Sequence, residues 1–279
     1  MKWAALVDLV AEGRVCILSG AGLSTESGIP GYRGADGERR VTPMTVSELL
    51  ASPHARQRYW ARSFVGYPRF AAAEPNDGHR AVADLQRLGL TTGIITQNVD
   101  GLHQRGGADE IIELHGSLDA VVCVDCGESY ARTTVDEWLR QANPRFDREA
   151  MTGQIRPDGD VLLTDEQVAG FATARCVVCR SDRLKPDVVM FGESVAKPLV
   201  QKCFDTVAES SCLLVLGSSL MVMSGFRFAR FAARERIPVA VITQGVTRAD
   251  AETTVKLESP LGATLTQLVA AVTPGAAPR

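Results

Sequence analysis

The chain lacks any apolar run near the ~20 residues that a membrane-spanning helix needs, so no such helix is predicted in its 279 residues. It also lacks a charge bias. Its 30 Lys and Arg stand against 33 Asp and Glu, a net charge of -3, so neither nucleic acid nor a membrane is expected as a partner. The amino terminus, MKWAALVDLVAEGR, carries Asp8 and Glu12 and lacks the pattern of a signal or transit peptide. It reads as an amphipathic helix over residues 2–12. A cytoplasmic protein is expected, and its seven cysteines are then not a disulfide framework. Histidine is scarce: His54, His79, His103 and His115. No G-x-G-x-x-G follows the first strand, and no acidic residue closes a second strand about 20 positions on. A dehydrogenase is therefore the least favoured reading.

What is present begins with enough apolar residue for a core. Hydrophobic content of 45% and charged content of 23% suit one large domain or two unequal ones. The chain is organised around Arg14 to Arg33, RVCILSGAGLSTESGIPGYR. Val15 to Leu18 reads as a buried strand. It ends in Gly20-Ala21-Gly22, where glycines let the backbone approach a ligand and leave N–H groups to face phosphate oxygens. Ser24 or Thr25 is expected to cap a helix. With Arg33 nearby the stretch suggests a pyrophosphate site; a tight turn that binds nothing is the alternative. Gly34 to Arg40 reads as a mobile loop beside it, either closing over a ligand or merely connecting.

Thr45 to Phe70 has a helical pattern and predicts a small helical lobe. Tyr59 and Arg62 are i, i+3 neighbours that could share a face, with a core aromatic and a solvated arginine as the favoured account. Asp77 to Leu88 reads as a helix capped by Asn76 or Asp77. Strands are expected at Gly93–Thr96, Ile111–Leu114, 184–193, Cys212–Leu216 and Pro238–Ile242. Helices are expected at 197–208, 224–236 and 261–272, with a loose tail from Pro274 to Arg279. Small or polar residues recur just past strand ends at Gly20, Gln97, Gly217 and Thr243, a row that suits an extended nucleotide. His115, delivered by a strand and followed by Gly116, is the preferred general base, and His103 the holder of its loop.

Cys123-x-x-Cys126 and Cys176-x-x-Cys179 predict a closed four-thiolate zinc site of structural type, with a redox pair as the rival. The gap between the knuckles exceeds the usual ~15–20 residues, which predicts an insertion over about 131–170. Cys16, Cys203 and Cys212 lie on apolar stretches and read as packing residues.

Six linked motifs carry a resemblance. They are Gly20-Ala21-Gly22-x-Ser24-x-x-Ser27-Gly28-Ile29-Pro30, Thr96-Gln97-Asn98-Val99-Asp100, Leu114-His115-Gly116, the four cysteines, Lys185-Pro186-Asp187-Val188-Val189 with Phe191-Gly192-Glu193, and Gly217-Ser218-Ser219. In this order the chain resembles the sirtuins from about residue 14 to 270. Arg56 to Gly66 and Pro157 to Val161 are similar to the class II branch. The resemblance implies an α/β fold: a Rossmann-like parallel-sheet NAD domain at 1–40, 76–118 and 184–279. It also implies a smaller lobe, helical at 41–75 and zinc-binding at 119–183, with substrate between the two. It implies NAD-dependent removal of an acyl group from a protein lysine. The acyl oxygen attacks C1′ of the nicotinamide ribose, nicotinamide leaves, and His115 activates a ribose hydroxyl that attacks the imidate. The products are free lysine, nicotinamide and an acyl-ADP-ribose.

By the same resemblance Gln97, Asn98, Val99 and Asp100 hold the nicotinamide end, with Asn98 and Asp100 counted with His115 as catalytic. Gly20, Ala21, Gly22, Ser24, Tyr32 and Arg33 lie toward the phosphates and adjoining sugar. Gly217, Ser218, Ser219, Thr243, Gln244, Gly245 and Leu261 hold the adenosine half. Val189, Phe191, Gly192 and Glu193 receive the substrate lysine and its backbone. Two positions depart from the family. Gly31 stands where sirtuins usually have Asp, and Thr243 where most have Asn; weaker NAD positioning is expected from the first and a lost hydrogen bond from the second. Tyr59-x-x-Arg62 is similar to the pair by which class III sirtuins recognise acidic acyl groups. ADP-ribosyl transfer or NAD hydrolysis at the same site, and an NAD-binding sensor of low turnover, are the alternative functions.

Overall fold

Strand β1, Val15–Ser19, is buried at every position, the pattern of a strand covered on both faces. It follows helix α1, Lys2–Ala11, and runs into a 3-10 helix at Ala21–Ser27. The computed structural model describes residues 1–34, 36–151 and 153–273; Ala35, Thr152 and the expected tail at 274–279 lie outside the described residues. Downstream come α2 (Val46–Ala51), α3 (Pro53–Ala71), α4 (Asp77–Arg87), β2 (Thr91–Thr96), α5 (Leu102–Arg105) and β3 (Ile112–Glu113). Then follow β4 (Gly116–Cys123), β5 (Ser129–Ala131), α6 (Arg132–Ala142), α7 (Asp165–Val168) and β6 (Leu184–Val188). The chain continues with α8 (Lys197–Ala208), β7 (Cys212–Leu216), α9 (Met223–Arg234), β8 (Val239–Ile242), β9 (Val255–Leu257) and α10 (Leu261–Val272). It divides into two units: Met1–Arg40, Glu74–Leu114 and Val195 onward form one, and Val41–Ala73 with His115–Ser194 the other.

The first unit is built on a parallel sheet of order β3-β2-β1-β7-β8-β9. One face buries Val15, Ile17, Leu214 and Ile242 against Leu6 and Val10 of α1, Leu85 of α4 and Leu265 of α10. The alternate residues, Cys16, Leu18, Leu213 and Val215, are equally buried. On the α8 and α9 side the Phe204 and Phe228 rings meet edge to face at 5.1 Å. Strand order reverses direction between β1 and β7, which makes a topological switch point, the place where open α/β sheets bind ligands. Ser19 is level with Thr96 and Leu216, and Leu216 with Ile242. Gly20, Gln97, Gly217 and Thr243 therefore leave the sheet side by side, a row of roughly 14 Å at ~4.8 Å per strand.

At the switch point two turns meet backbone to backbone. The Gly22 N–H donates to the Gly217 carbonyl at 2.8 Å and the Gly20 N–H to that of Leu216 at 2.9 Å. A Cβ on Gly22 would lie 2.7 Å from the Gly217 oxygen, and Gly217 itself holds φ +60°. The glycines thus serve close packing, and the expectation that their N–H groups face phosphate is corrected. The capping expectation is corrected too. Ser24 and Thr25 lie inside the 3-10 helix, whose N-cap is Gly20 with no side-chain cap.

The second unit pairs an antiparallel sheet, order β5-β4-β6, with α2, α3, α6 and α7. The expected insertion begins as helix α6, after which Asn143 bonds to Ala172, its Nδ2 donating to the Ala172 carbonyl at 2.8 Å and its Oδ1 accepting the Ala172 N–H at 2.7 Å. Leu49, Trp60, Phe64, Val121, Leu139, Phe171 and Leu184 share its core, and Trp60 Nε1 donates to the Leu184 carbonyl at 3.2 Å. The apolar pattern at 184–193 predicts a strand that resumes the parallel sheet. Instead β6 pairs antiparallel with β4, so 184–194 lies with the zinc module, and residues 115–118 lie there as well. Strands β4, β5 and β9 are short or exposed on one side, too weak in period for the pattern to have shown them.

The Gly22 contact yields a prediction. Gly22→Ala is expected to destabilise the protein by about 1–3 kcal/mol through overpacking, read as a lower urea midpoint, whereas Gly28→Asn, with open space around it, should cost less, its strain limited to a left-handed conformation that Asn tolerates better than other side chains.

Candidate active site

At the carboxyl end of β2 the chain delivers Gln97, Asn98, Val99 and Asp100 beside the β1 turn. Burying polar groups is costly unless they are hydrogen-bonded, and the Gln97, Asn98 and Asp100 side chains all make hydrogen bonds. Asn98 Nδ2 donates to the Gly20 carbonyl at 3.2 Å and to Ser24 Oγ at 3.0 Å. Ser24 Oγ donates to Asp100 Oδ2 at 2.6 Å, and the Leu102 N–H donates to Asp100 Oδ1 at 2.9 Å. Burial pushes the Asp100 carboxyl up, opposed chiefly by the Ser24 hydroxyl. Gln97 Nε2 donates to the Ser19 carbonyl and to Ser218 Oγ at 2.9 Å, tying β2 to the β7 turn. Asn98 and Asp100 are each only 9% exposed.

The other nucleotide-side candidates lie along the same strand tips. Leu261, at the start of α10, approaches Gly217. Ser219 accepts the Arg248 N–H, and the Thr243 N–H donates to Leu257. Gln244 and Gly245 follow in the β8 turn, where Gly245 has φ +83°. Tyr32 and Arg33 precede a loop that folds back on itself: Arg40 N–H donates to Tyr32, Gly34 N–H to Glu38, and Arg33 Nη1 to the Gly37 carbonyl at 2.8 Å. Arg33 is thus held by its own loop in this arrangement.

In the second unit, His115 precedes Gly116, whose φ of +76° and approach to the Asp187 carbonyl admit no side chain. The His115 carbonyl accepts the Val189 N–H at 2.8 Å. The Phe191 carbonyl accepts the Val46 N–H. Glu193 accepts from Lys185 Nζ at 3.0 Å and from the Met190 N–H at 2.8 Å. Its carboxylate closes a turn in which Gly192 stands exposed at φ +88°. Arg62 is not solvated. It pairs with Asp160 at 2.7 Å, both side chains being nearly buried, and its Nε donates to the Val161 carbonyl at 2.9 Å. Arg156 also meets Asp160, at 3.2 Å. Burial and then Asp158 push the Asp160 carboxyl up to about 7, against the pull of Arg62 and Arg156.

Cys123, Cys126, Cys176 and Cys179 place their Sγ atoms within 4.8 Å of one another. Each knuckle closes with the same turn: Gly127 N–H to Cys123 and Arg180 N–H to Cys176, with Gly127 at φ +77° and Arg180 at φ +65°. Zinc–sulfur bonds of ~2.3 Å put tetrahedral sulfurs about 3.8 Å apart, so the set fits one zinc ion with no open position. Four soft thiolates select zinc over hard cations.

A model of the Sir2 family matches residues 20–224. The chain is 51% identical over 264 residues to NAD-dependent protein deacetylase 1 of Streptomyces coelicolor, covering 94% of this chain and 87% of that protein. It is 43% identical over 255 residues to human NAD-dependent protein lipoamidase sirtuin-4, mitochondrial, covering 89% and 80%. A solved structure described as a Sir2–p53 peptide–NAD+ complex superposes with a TM-score of 0.75 at 27% identity, over 96% of this chain and 97% of that one. The chain belongs to the Sir2 family.

In this Sir2-family chain the sequence missed one layer. His79 and Ser19 were not singled out, yet His79 Nε2 lies 3.5 Å from Ser24 Oγ and His103 Nε2 lies 2.8 Å from Ser19 Oγ. The available signal was two histidines on helices flanking the strand ends. Burial lowers His79 to about 3, assisted by His103, and lowers His103 to about 4.

Two predictions follow from these groups. Both histidines titrate near 6.5 when unfolded and far lower when folded, so protons favour the unfolded chain. Stability is therefore expected to fall as pH drops below about 6.5 toward 4, by up to ~1.4 kcal/mol per pH unit for each histidine. Urea unfolding at pH 7.5 and 5 checks this; equal stability would contradict it. For the knuckles, Cys179→Ser is expected to lower bound metal well below one zinc per chain and to lower the melting temperature, measured by atomic emission and calorimetry.

Proposed function

We propose that the chain is an NAD-dependent protein-lysine deacylase that yields nicotinamide, free lysine and O-acyl-ADP-ribose. The carrying observation is a buried, hydrogen-bonded Asn98–Ser24–Asp100 group at the switch point of a Sir2-family sheet. When bound, NAD supplies a ribose carbon that the acyl oxygen attacks as nicotinamide departs.

The chain's own residues divide the work. Gly217 to Ser219, Thr243 to Gly245 and Leu261 bind the adenosine half along the strand tips. Gly20, Ala21, Gly22, Tyr32 and Arg33 border the phosphates and adjoining sugar. Gln97 to Asp100 hold the nicotinamide end. Asn98, its amide nitrogen committed to Gly20 and Ser24, is held with its orientation set, and Asp100 offers carboxylate acceptors to a sugar hydroxyl. His115 takes the proton from a ribose hydroxyl, the task for which imidazole is chemically suited. Val189, Phe191 and Gly192 receive the acylated lysine of a protein or peptide. Glu193 shapes that turn through Lys185 and Met190. The zinc holds β4 and the 176–184 segment and takes no part in the reaction.

The relatives carry the names deacetylase and lipoamidase, and both acyl types are neutral. Arg62 is already paired with Asp160, which supports neutral acyl groups over dicarboxylic ones. No described helix is long and apolar enough to cross a membrane. A cytoplasmic location is part of the proposal, supported by seven cysteines outside any disulfide.

Mass spectrometry with NAD and acetyl-, lipoyl- and succinyl-lysine peptides tests the reading. O-acyl-ADP-ribose is expected from a neutral acyl peptide and is lost in His115→Ala. NAD consumed without deacylated peptide would point instead to ADP-ribosyl transfer or hydrolysis, and NAD bound but never consumed to a sensor.

A further inference from the structure

Behind the residues that face the nucleotide side sit two histidines with no part in the proposed chemistry. His79 on α4 and His103 on α5 are buried, with their rings edge to face at 5.2 Å. Each lies against a serine hydroxyl, and the hydrogen-bond directions around them are determined by backbone donors.

The Asn76 N–H donates to His79 Nδ1 at 3.3 Å. A backbone N–H can only donate, so Nδ1 accepts and the neutral ring carries its hydrogen on Nε2. Nε2–H faces Ser24 Oγ at 3.5 Å. Ser24 Oγ also accepts from Asn98 Nδ2, so its single hydrogen goes to Asp100 Oδ2. The second chain is similar. The Asn98 N–H donates to Thr96 Oγ1, which also accepts from Ser19 Oγ at 2.9 Å. Ser19 has then spent its hydrogen, so it accepts from His103 Nε2–H at 2.8 Å. His103 Nδ1, buried and without a hydrogen-bond partner, is the bare nitrogen of that tautomer.

We propose that His79 and His103 are positioning residues, held as neutral Nε2–H tautomers, that orient Asp100 through Ser24 and the Asn98 backbone through Ser19 and Thr96. With both neighbours donating to it, Ser24 has one acceptor left, and that acceptor is the carboxylate. His79 with its hydrogen on Nε2 keeps the Ser24 donation pointed at Asp100, whereas the Nδ1–H tautomer would offer Ser24 a competing acceptor. The cations bearing on this group are Arg80 on α4 and Arg105 on α5, and Arg105 Nη2 donates to the Asp100 carbonyl at 3.2 Å. A positive charge on His79 would meet the His103 ring, Arg105 and Arg80, and burial disfavours a charge on either ring.

The inference rests on the deacylase reading for its consequence and not for its geometry, so the test has two arms. In the first, nitrogen-15 histidine labelling and long-range proton–nitrogen correlation read the tautomers directly. His54→Asn and His115→Ala identify the other two rings. Both remaining imidazoles are expected to show the Nε2–H pattern at pH 7 and to stay neutral at pH 5.5. An Nδ1–H pattern in either ring, or a midpoint near 6.5, overturns the proposal whatever the activity.

The second arm is kcat/KM for NAD against pH with an acetyl-lysine peptide. His79→Ala is expected to move the acid limb upward by about one pH unit, roughly a tenfold loss on the acid side, because Asp100 loses a directed hydrogen bond. His79→Gln, whose amide Nε2 replaces the imidazole donor, is expected to bring the limb back toward the wild-type position. A limb unmoved in His79→Ala means His79 only packs, and overturns the proposal. Wild-type protein that consumes no NAD refutes the deacylase reading, while the tautomer arm still decides this one.

Discussion

The hydrogen bond from Gly22 to Gly217 is the constraint on which the switch-point edge of the parallel sheet depends. It brings the turns after β1 and β7 into backbone contact at the one place where strand order reverses. Contact that close leaves no room for a Cβ at Gly20, Gly22 or Gly217, which explains these glycines without appeal to a ligand. It also levels the strand ends. Because β1, β2, β7 and β8 stop in register, the residues after them form a continuous edge, and the polar ones among them face the same way out of the sheet.

A second constraint is the cost of burying polar groups. Asn98 and Asp100 are functional candidates because they are polar and almost enclosed, and such groups persist only when their hydrogen bonds are made. The chain makes them with serine and threonine hydroxyls, backbone N–H groups and two neutral histidines. The second unit meets the same cost differently. Arg132 is fully buried between the Trp60 and Tyr67 rings and the Ser63 hydroxyl, and Arg62 is matched by Asp160. Its small sheet is closed at one end by four thiols.

Much of this was legible in the residues. The fully apolar strands at 15–18 and 212–216, the helix at 261–272 and the thiolate set announce themselves, because burial on both faces, helical period and metal-ligand spacing are local patterns. The row Gly20, Gln97, Gly217 and Thr243 was also legible, since each follows an apolar run. The partners of those residues were not. Arg62 reads as a solvated cation until Asp160, far along the chain, is placed against it. Ser24 reads as a helix cap until Asp100 takes its hydrogen. Residues 184–193 read as another parallel strand because an apolar strand looks the same in either sheet.

Sequence alone therefore determined most of the elements, the four-cysteine set, the family and the row of residues just past the parallel strand ends. These follow from local period and spacing. Tertiary structure decided what each polar group is bonded to: the glycine N–H groups to carbonyls, Glu193 to Lys185, Ser24 to Asp100, and the two histidines to their serines. Hydrogen bonding is short-ranged and directional, and its partners here lie tens of residues apart, so only the folded chain specifies them.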